Sequence, residues 1–155
     1  MLLRPGSIAT GDGWAFELKY DGLRAIVSTE SGLRVRSRRG WNMTERAHEL
    51  AALPKGLVLD GELVAFNAQG APHWPLLCER VLHGNRSIPV TFVAFDVLRV
   101  DGHDVMANPW ERRRALLEES ASRARPRALR TCSTTARRLR RDCRARARGD
   151  RREAP

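Results

Sequence analysis

Lysine is almost missing from this chain. The 155 residues hold two, Lys19 and Lys55, although arginine is abundant. Lys19 is therefore not one of a crowd of surface charges. Cysteine is scarce as well. Cys78, Cys132 and Cys143 are scattered without metal-ligand spacing; an odd, unpatterned count argues against a disulfide framework and fits a reducing cytosol. No apolar run is long enough to span a membrane, and the opening Met1-Leu2-Leu3-Arg4-Pro5-Gly6 is too short in apolar residues for a secretory signal. The four histidines, His48, His73, His83 and His103, are too dispersed for a metal cluster. The length suits one domain with a real core and is short for a two-domain enzyme.

A net charge of +10 suggests nucleic acid as a partner until it is located. Residues 123–155 carry thirteen arginines and three acids, which is the whole excess. Residues 1–122 balance fifteen basic residues against fifteen acidic ones. The expected division is thus a folded domain over 1–122 and an arginine-rich, disordered tail over 123–155, in which no strand or amphipathic period is evident.

Within 1–122, an irregular lead-in of 13 residues gives way to apolar alternation over Trp14 to Lys19, which predicts a strand with Lys19 at its end. Asp21-Gly22 is a turn pair. Leu23 to Ser28 and Leu33 to Ser37 predict two more strands joined by a turn at Ser31-Gly32, the second alternating apolar residues with arginine. Thr44 is the expected N-cap of a helix over Glu45 to Leu53, burying Ala47, Leu50, Ala51 and Leu53. A strand from Leu57 runs through Asp60-Gly61 to Phe66. A short helix follows over Leu76 to Leu82, then a strongly apolar strand over Pro89 to Val100, an Asp101-Gly102 turn, and a helix opened by Pro109 and ending near Glu119.

Chemistry concentrates around Glu17-Leu18-Lys19-Tyr20-Asp21-Gly22-Leu23-Arg24. A lysine acts as a nucleophile when its amine is partly neutral and held against an electrophile. A following arginine can hold a phosphate or a sugar hydroxyl. Lys-x-Asp-Gly alone recurs by chance, and its bland reading is a strand, a turn and surface charges. Three later stretches raise its weight: Arg36-Ser37-Arg38-Arg39-Gly40, Leu59-Asp60-Gly61-Glu62-Leu63-Val64 and Val93-Ala94-Phe95-Asp96-Val97-Leu98. Each has a bland reading too: a solvated cationic edge, a plain turn with a strand-end acid, and a core phenylalanine.

Together, in this order and spacing, the four stretches resemble motifs of the covalent nucleotidyltransferases: ATP-dependent DNA ligases, RNA ligases and mRNA capping enzymes. Trp14 to Glu17 and Trp41 to Leu50 are most similar to bacterial DNA ligases, and the resemblance covers about residues 12–120. It implies an α+β fold of antiparallel sheets with flanking helices, part of a ligase-type adenylation domain. It also implies the activity. Lys19 would take AMP from ATP, and AMP would pass to a 5′-phosphate at a nick in double-stranded DNA, in replication, repair or recombination. The resemblance further assigns Glu17 to adenine recognition, Arg24 and Arg38 to ribose or phosphate, Glu62 to the ribose hydroxyls and a metal shell, and Phe95 to stacking on adenine. ATP and Mg²⁺ are the implied cofactors, and the expected protein is a monomeric, cytoplasmic enzyme with no membrane partner. RNA ligation, capping-type chemistry and a non-enzymatic truncated remnant are the alternatives.

The family's later Glu-Gly-x-Val-x-Lys and Lys-x-Lys stretches do not occur in the 155 residues. The adenylation domain is therefore expected to be incomplete and inactive in sealing. Permitted codons for Arg146 to Pro155, regrouped one base along, translate as Gly-Leu-Glu-Gly-Ile-Val-Glu-Lys-Arg. The tail is thus compatible with a neighbouring reading frame of the same enzyme.

Overall fold

A computed structural model describes residue 15, residues 17–123 and Leu129–Thr131. It divides into two units. Lys19–Cys132 forms one; Met1–Leu18 and Ser133–Pro155 form the other, of which Ala15, Glu17 and Leu18 are described, all exposed and outside regular structure.

The larger unit is built on a six-stranded sheet. Its strands are β1 (Leu23–Ser28), β2 (Arg34–Ser37), β3 (Leu57–Val64), β4 (Thr91–Val100), β5 (His103–Asp104) and β6 (Leu129–Thr131). The order is β2-β1-β3-β4-β5, antiparallel throughout, with β6 added parallel to β4. Alternation in sequence becomes two faces. One face buries Ala25, Val27, Val35, Leu59, Leu63, Phe92, Ala94 and Val97, and it is covered by Leu50, Leu77 and Leu117 from the three helices. Those helices are a 3-10 helix over Thr44–Ala52, α1 (Trp74–Val81) and α2 (Trp110–Ser122). None of the described helices is long and apolar enough to cross a membrane.

Several local expectations hold. β1 falls on Leu23–Ser28 as read, and in β2 Val35 is fully buried while Arg34 and Arg36 are exposed. The Asp101-Gly102 hairpin has positive φ at both residues (48° and 81°), the geometry a two-residue turn of that type requires.

Others are corrected. Among residues 15 and 17–22 there is no strand, so Lys19 is not mounted on a strand end. Alternation makes a strand only where one side is buried, and Leu18 is 56% exposed. Thr44 does not cap a helix: its hydroxyl accepts the Val35 N–H (3.0 Å) and donates to Asn42 Oδ1 (2.7 Å), tying the helix start to β2. The helix itself is 3-10, kinked at Ala47, and it buries Ala47 and Leu50, with Leu53 buried at its C-cap. That spacing of three is the 3-10 period; Ala51, buried only on an α-helical period, is exposed. The strand expected through Asp60-Gly61 is present as β3, which excludes the plain-turn reading of that pair and ends at Val64 instead of Phe66. The short helix starts earlier than expected, at Trp74, with Leu82 outside it and exposed; α2 continues to Ser122. β6 lies beyond the expected domain end at 122, and Leu129 is buried in the core. Residues 132–155 of the tail fall outside the described residues.

Candidate active site

The face of the sheet away from the helices carries Arg24, Glu62 and Phe95. β1 presents Arg24 there, directly opposite Glu62 of β3 in the ladder. Asp60, two residues before Glu62, points the same way by strand alternation. It forms a forked ion pair with Arg24: Nε to Oδ1 at 3.0 Å and Nη2 to Oδ2 at 2.6 Å. Asp60 is buried, and this pairing is what permits a carboxylate inside a sheet. The Arg24 guanidinium carbon lies 5.4 Å from the centroid of the Phe95 ring, a cation–π distance. Phe95 joins Tyr20, Val64, Phe66 and Val93 in a small apolar cluster on this face, with Tyr20 edge-on to Phe66 at 6.3 Å.

Lys19 reaches this face through Tyr20, Asp21 and Gly22. Gly22 passes so close to β3 that any side chain would strike the Leu63 carbonyl, with Glu62 Cγ 2.8 Å from the added carbon. A residue with a Cβ would have to move the Lys19 segment away. Gly61 is tight for a similar reason: an added carbon would lie 2.6 Å from Phe92 Cζ. These contacts give the Asp-Gly and Asp-Gly-Glu spacings a packing cause.

The electrostatics centre on Glu62. Burial pushes its carboxyl above the ordinary glutamate value; the charges of Lys19 and Arg24 oppose that shift, and Asp21 and Asp60 add to it. Arg24 is held firmly protonated, first by its hydrogen bond to Asp60. Arg38 comes in by its backbone: its N–H donates to the Arg24 carbonyl (3.2 Å), one step beyond the β1–β2 pairing, and it is exposed. Glu17 is exposed and belongs to the other unit. Among the described residues no group of three His, Cys, Asp or Glu could hold a metal ion. A cavity of about 370 Å³ occurs at the β2 edge between Arg34, Arg36, Asn42 and Glu45, and none of the candidate site residues lines it.

Asp60 was not among the residues expected in the site, although the strand expected to run through it is present. Alternation through Leu-Asp-Gly-Glu-Leu-Val was the available signal, since it puts Asp60 and Glu62 on one face opposite the leucines.

Residues 7–139 match the family described as ATP dependent DNA ligase domain. The chain belongs to the ATP-dependent DNA ligase family. It is 37% identical over 130 residues to the multifunctional non-homologous end joining DNA repair protein LigD of Mycobacterium tuberculosis, covering 79% of this chain and 17% of that protein. The crystal structure of the ligase domain of M. tuberculosis LigD is similar with a TM-score of 0.61 and 31% identity, over 74% of this chain and 38% of the other. A mycobacterial DNA ligase D complexed with ATP and MES gives a TM-score of 0.58 and 30% identity over the same shares. The fold is that of a ligase adenylation domain, and the chain spans well under half of either relative's length.

Proposed function

We propose that this sheet face binds ATP and that Lys19 is the residue adenylated in the first step of DNA ligation. The observation that carries the reading is the convergence of Arg24, Glu62 and Phe95 on one sheet face, with the Lys19 segment packed beside Glu62 through Gly22. The Lys19 amine attacks the α-phosphorus of ATP, forming a P–N bond as the P–O bond to pyrophosphate breaks and the amine releases a proton. Arg24, fixed by Asp60, meets ribose or phosphate as a preset fork and loses little freedom on binding. Glu62 accepts from the ribose hydroxyls, Phe95 offers its ring to adenine, and Arg38 adds a cation beside Arg24. Glu17 is assigned to adenine recognition through its place in the motif.

Magnesium fits as an ion that travels with the triphosphate, because such ions need only one or two protein carboxylates. Glu62 is the carboxylate placed to serve, since Asp60 is committed to Arg24. When bound, magnesium neutralises charge on the phosphates. The partner is duplex DNA at a nick, and DNA repair is the setting that the LigD name suggests. Exposed Arg34, Arg36, Arg38 and Arg39, with Trp41 60% exposed beside them, give the β2 edge the charge a phosphate backbone complements. The protein acts as a cytoplasmic monomer in this reading.

The test is calorimetry with ATP, together with α-labelled ATP and Mg²⁺ in a transfer assay on the full chain. Binding of ATP is expected, with any acid-labile label on Lys19 and none in Lys19→Ala. Label persisting in Lys19→Ala moves the nucleophile elsewhere. Failure of the folded wild type to bind ATP overturns the reading, and preference for GTP would shift it to capping-type chemistry.

A further inference from the structure

Phe95 sits where β4 breaks register. Asp60 pairs with Asp96 and Gly61 pairs with Ala94, so Phe95 is the extra residue of a β-bulge. A bulge interrupts the ladder, bends the strand and re-aims a side chain. Phe92 and Ala94 face the main core before it and Val97 faces that core after it; Phe95 shares the opposite face with Val93, and the extra residue leaves Asp96 opposite Asp60 and returns Val97 to the core. An interrupted ladder needs another tie to hold one shape.

That tie comes from α2. The Asp96 carboxylate takes both arms of Arg113, Nε to Oδ1 at 2.8 Å and Nη2 to Oδ2 at 3.0 Å. Oδ1 also accepts the Val97 N–H at 2.9 Å, locking the backbone just after the bulge. Arg113 Nη1 donates to the Asn108 carbonyl at 2.7 Å, anchoring the fork to the loop before α2. Four residues on, Leu117 is fully buried and fixes the helix to the core. Asp60 faces Asp96 across the ladder and carries its own arginine, Arg24. Like charges opposite one another on adjacent strands destabilise a sheet, so each carboxylate having its own guanidinium matters here. Two forked ion pairs therefore hold the ladder pair that adjoins the bulge.

We propose that Arg113 and Asp96 are positioning residues for nucleotide recognition: their ion pair fixes the β4 bulge so that the Phe95 ring is presented to the purine of ATP. Neither residue contacts the nucleotide, and both act through Phe95. The inference rests on the ATP reading above and goes beyond it by naming what sets the base-stacking residue.

The experiment compares binding of ATP and of inorganic triphosphate to the full chain by calorimetry, with thermal melts alongside. Arg113→Lys keeps the charge and loses the fork; Asp96→Asn keeps the shape and loses the charge. Each is expected to weaken ATP about tenfold, the scale of one lost base stack, and to leave triphosphate binding unchanged. Phe95→Leu is expected to do the same, and the Arg113→Lys/Phe95→Leu double variant to lose no more than Phe95→Leu alone. Leu117→Ala loosens α2 without touching the ion pair and is expected to keep the wild-type ratio of ATP to triphosphate affinity. An unchanged ratio in Arg113→Lys and Asp96→Asn, additive losses in the double variant, an equal fall in Leu117→Ala, or failure of both ion-pair variants to fold would each overturn the proposal and leave the pair as a structural clamp. Absence of ATP binding in the wild type would instead overturn the nucleotide reading on which it rests.

Discussion

Glu62 shows how a single residue carries opposed demands. Burial raises its pKa above the ordinary 4.5, against the pull of Lys19 and Arg24. A carboxyl raised on folding stabilises the fold while it is protonated, so its contribution is full below the unfolded value and is lost as pH rises through the folded value. Binding ribose hydroxyls needs the ionised acceptor, which is the form the fold disfavours. ATP affinity is therefore expected to rise with pH through a midpoint above 4.5. Glu62→Gln should bind ATP more weakly and flatten that profile, while gaining stability relative to wild type as pH rises. Calorimetry and urea melts across the acid range check both; a stability difference that does not vary with pH would refute it. Arg24 and Asp60 teach a complementary lesson. Arg24 stands out by its motif, whereas Asp60, two residues before Glu62 on the same strand, is what aims it.

At the scale of elements, α1 depends on one arginine. Arg80 is fully buried and forks onto Glu49 at 2.7 and 2.8 Å. It also donates to the carbonyls of Arg46, Arg86 and Ile88, joining α1 to the 3-10 helix and to the loop before β4. Arg80→Ala leaves those acceptors without their donor and is expected to cost about 3–5 kcal/mol of stability, measured by urea unfolding. A loss under about 1 kcal/mol would mean that water replaces the guanidinium at no penalty. In sequence, an arginine late in a short amphipathic helix reads as solvated, and its burial arises only because two distant segments close around it. The 3-10 helix was half legible for a related reason. Its apolar residues were visible, but local propensity did not separate a period of three from one of 3.6.

For the molecule as a whole, the tail divides composition from fold. The excess charge begins at 123, yet Leu129–Thr131 pairs with β4 and Arg130 lies over the Phe66 ring at 5.1 Å. The family match also runs to residue 139. A change of reading frame is therefore expected after Thr131. The nucleotide sequence checks it directly: the neighbouring frame should continue into Glu-Gly-x-Val-x-Lys, and a stop codon before that point would end the idea. The same whole-chain view predicts that these 155 residues do not seal a nicked duplex unaided. Loss of one charge-stabilising group typically costs ~10²–10³ in rate, and more than one of the family's is missing from the sequence. Efficient joining by pure protein would contradict it.

The sequence by itself determined the strands whose alternation is strict, the Asp101-Gly102 turn and the family. Each of these depends on residue type at short spacing, which the chain states outright. Tertiary structure decided the rest. It placed Lys19 outside any described strand, paired Asp60 with Arg24 and Asp96 with Arg113, buried Arg80, and put β6 in the sheet. It also added one extra residue to the β4 ladder at Phe95, which sets Asp96 opposite Asp60 and returns Val97 to the core. In every such case the partner lies far along the chain, so its identity depends on register and packing that no local pattern contains.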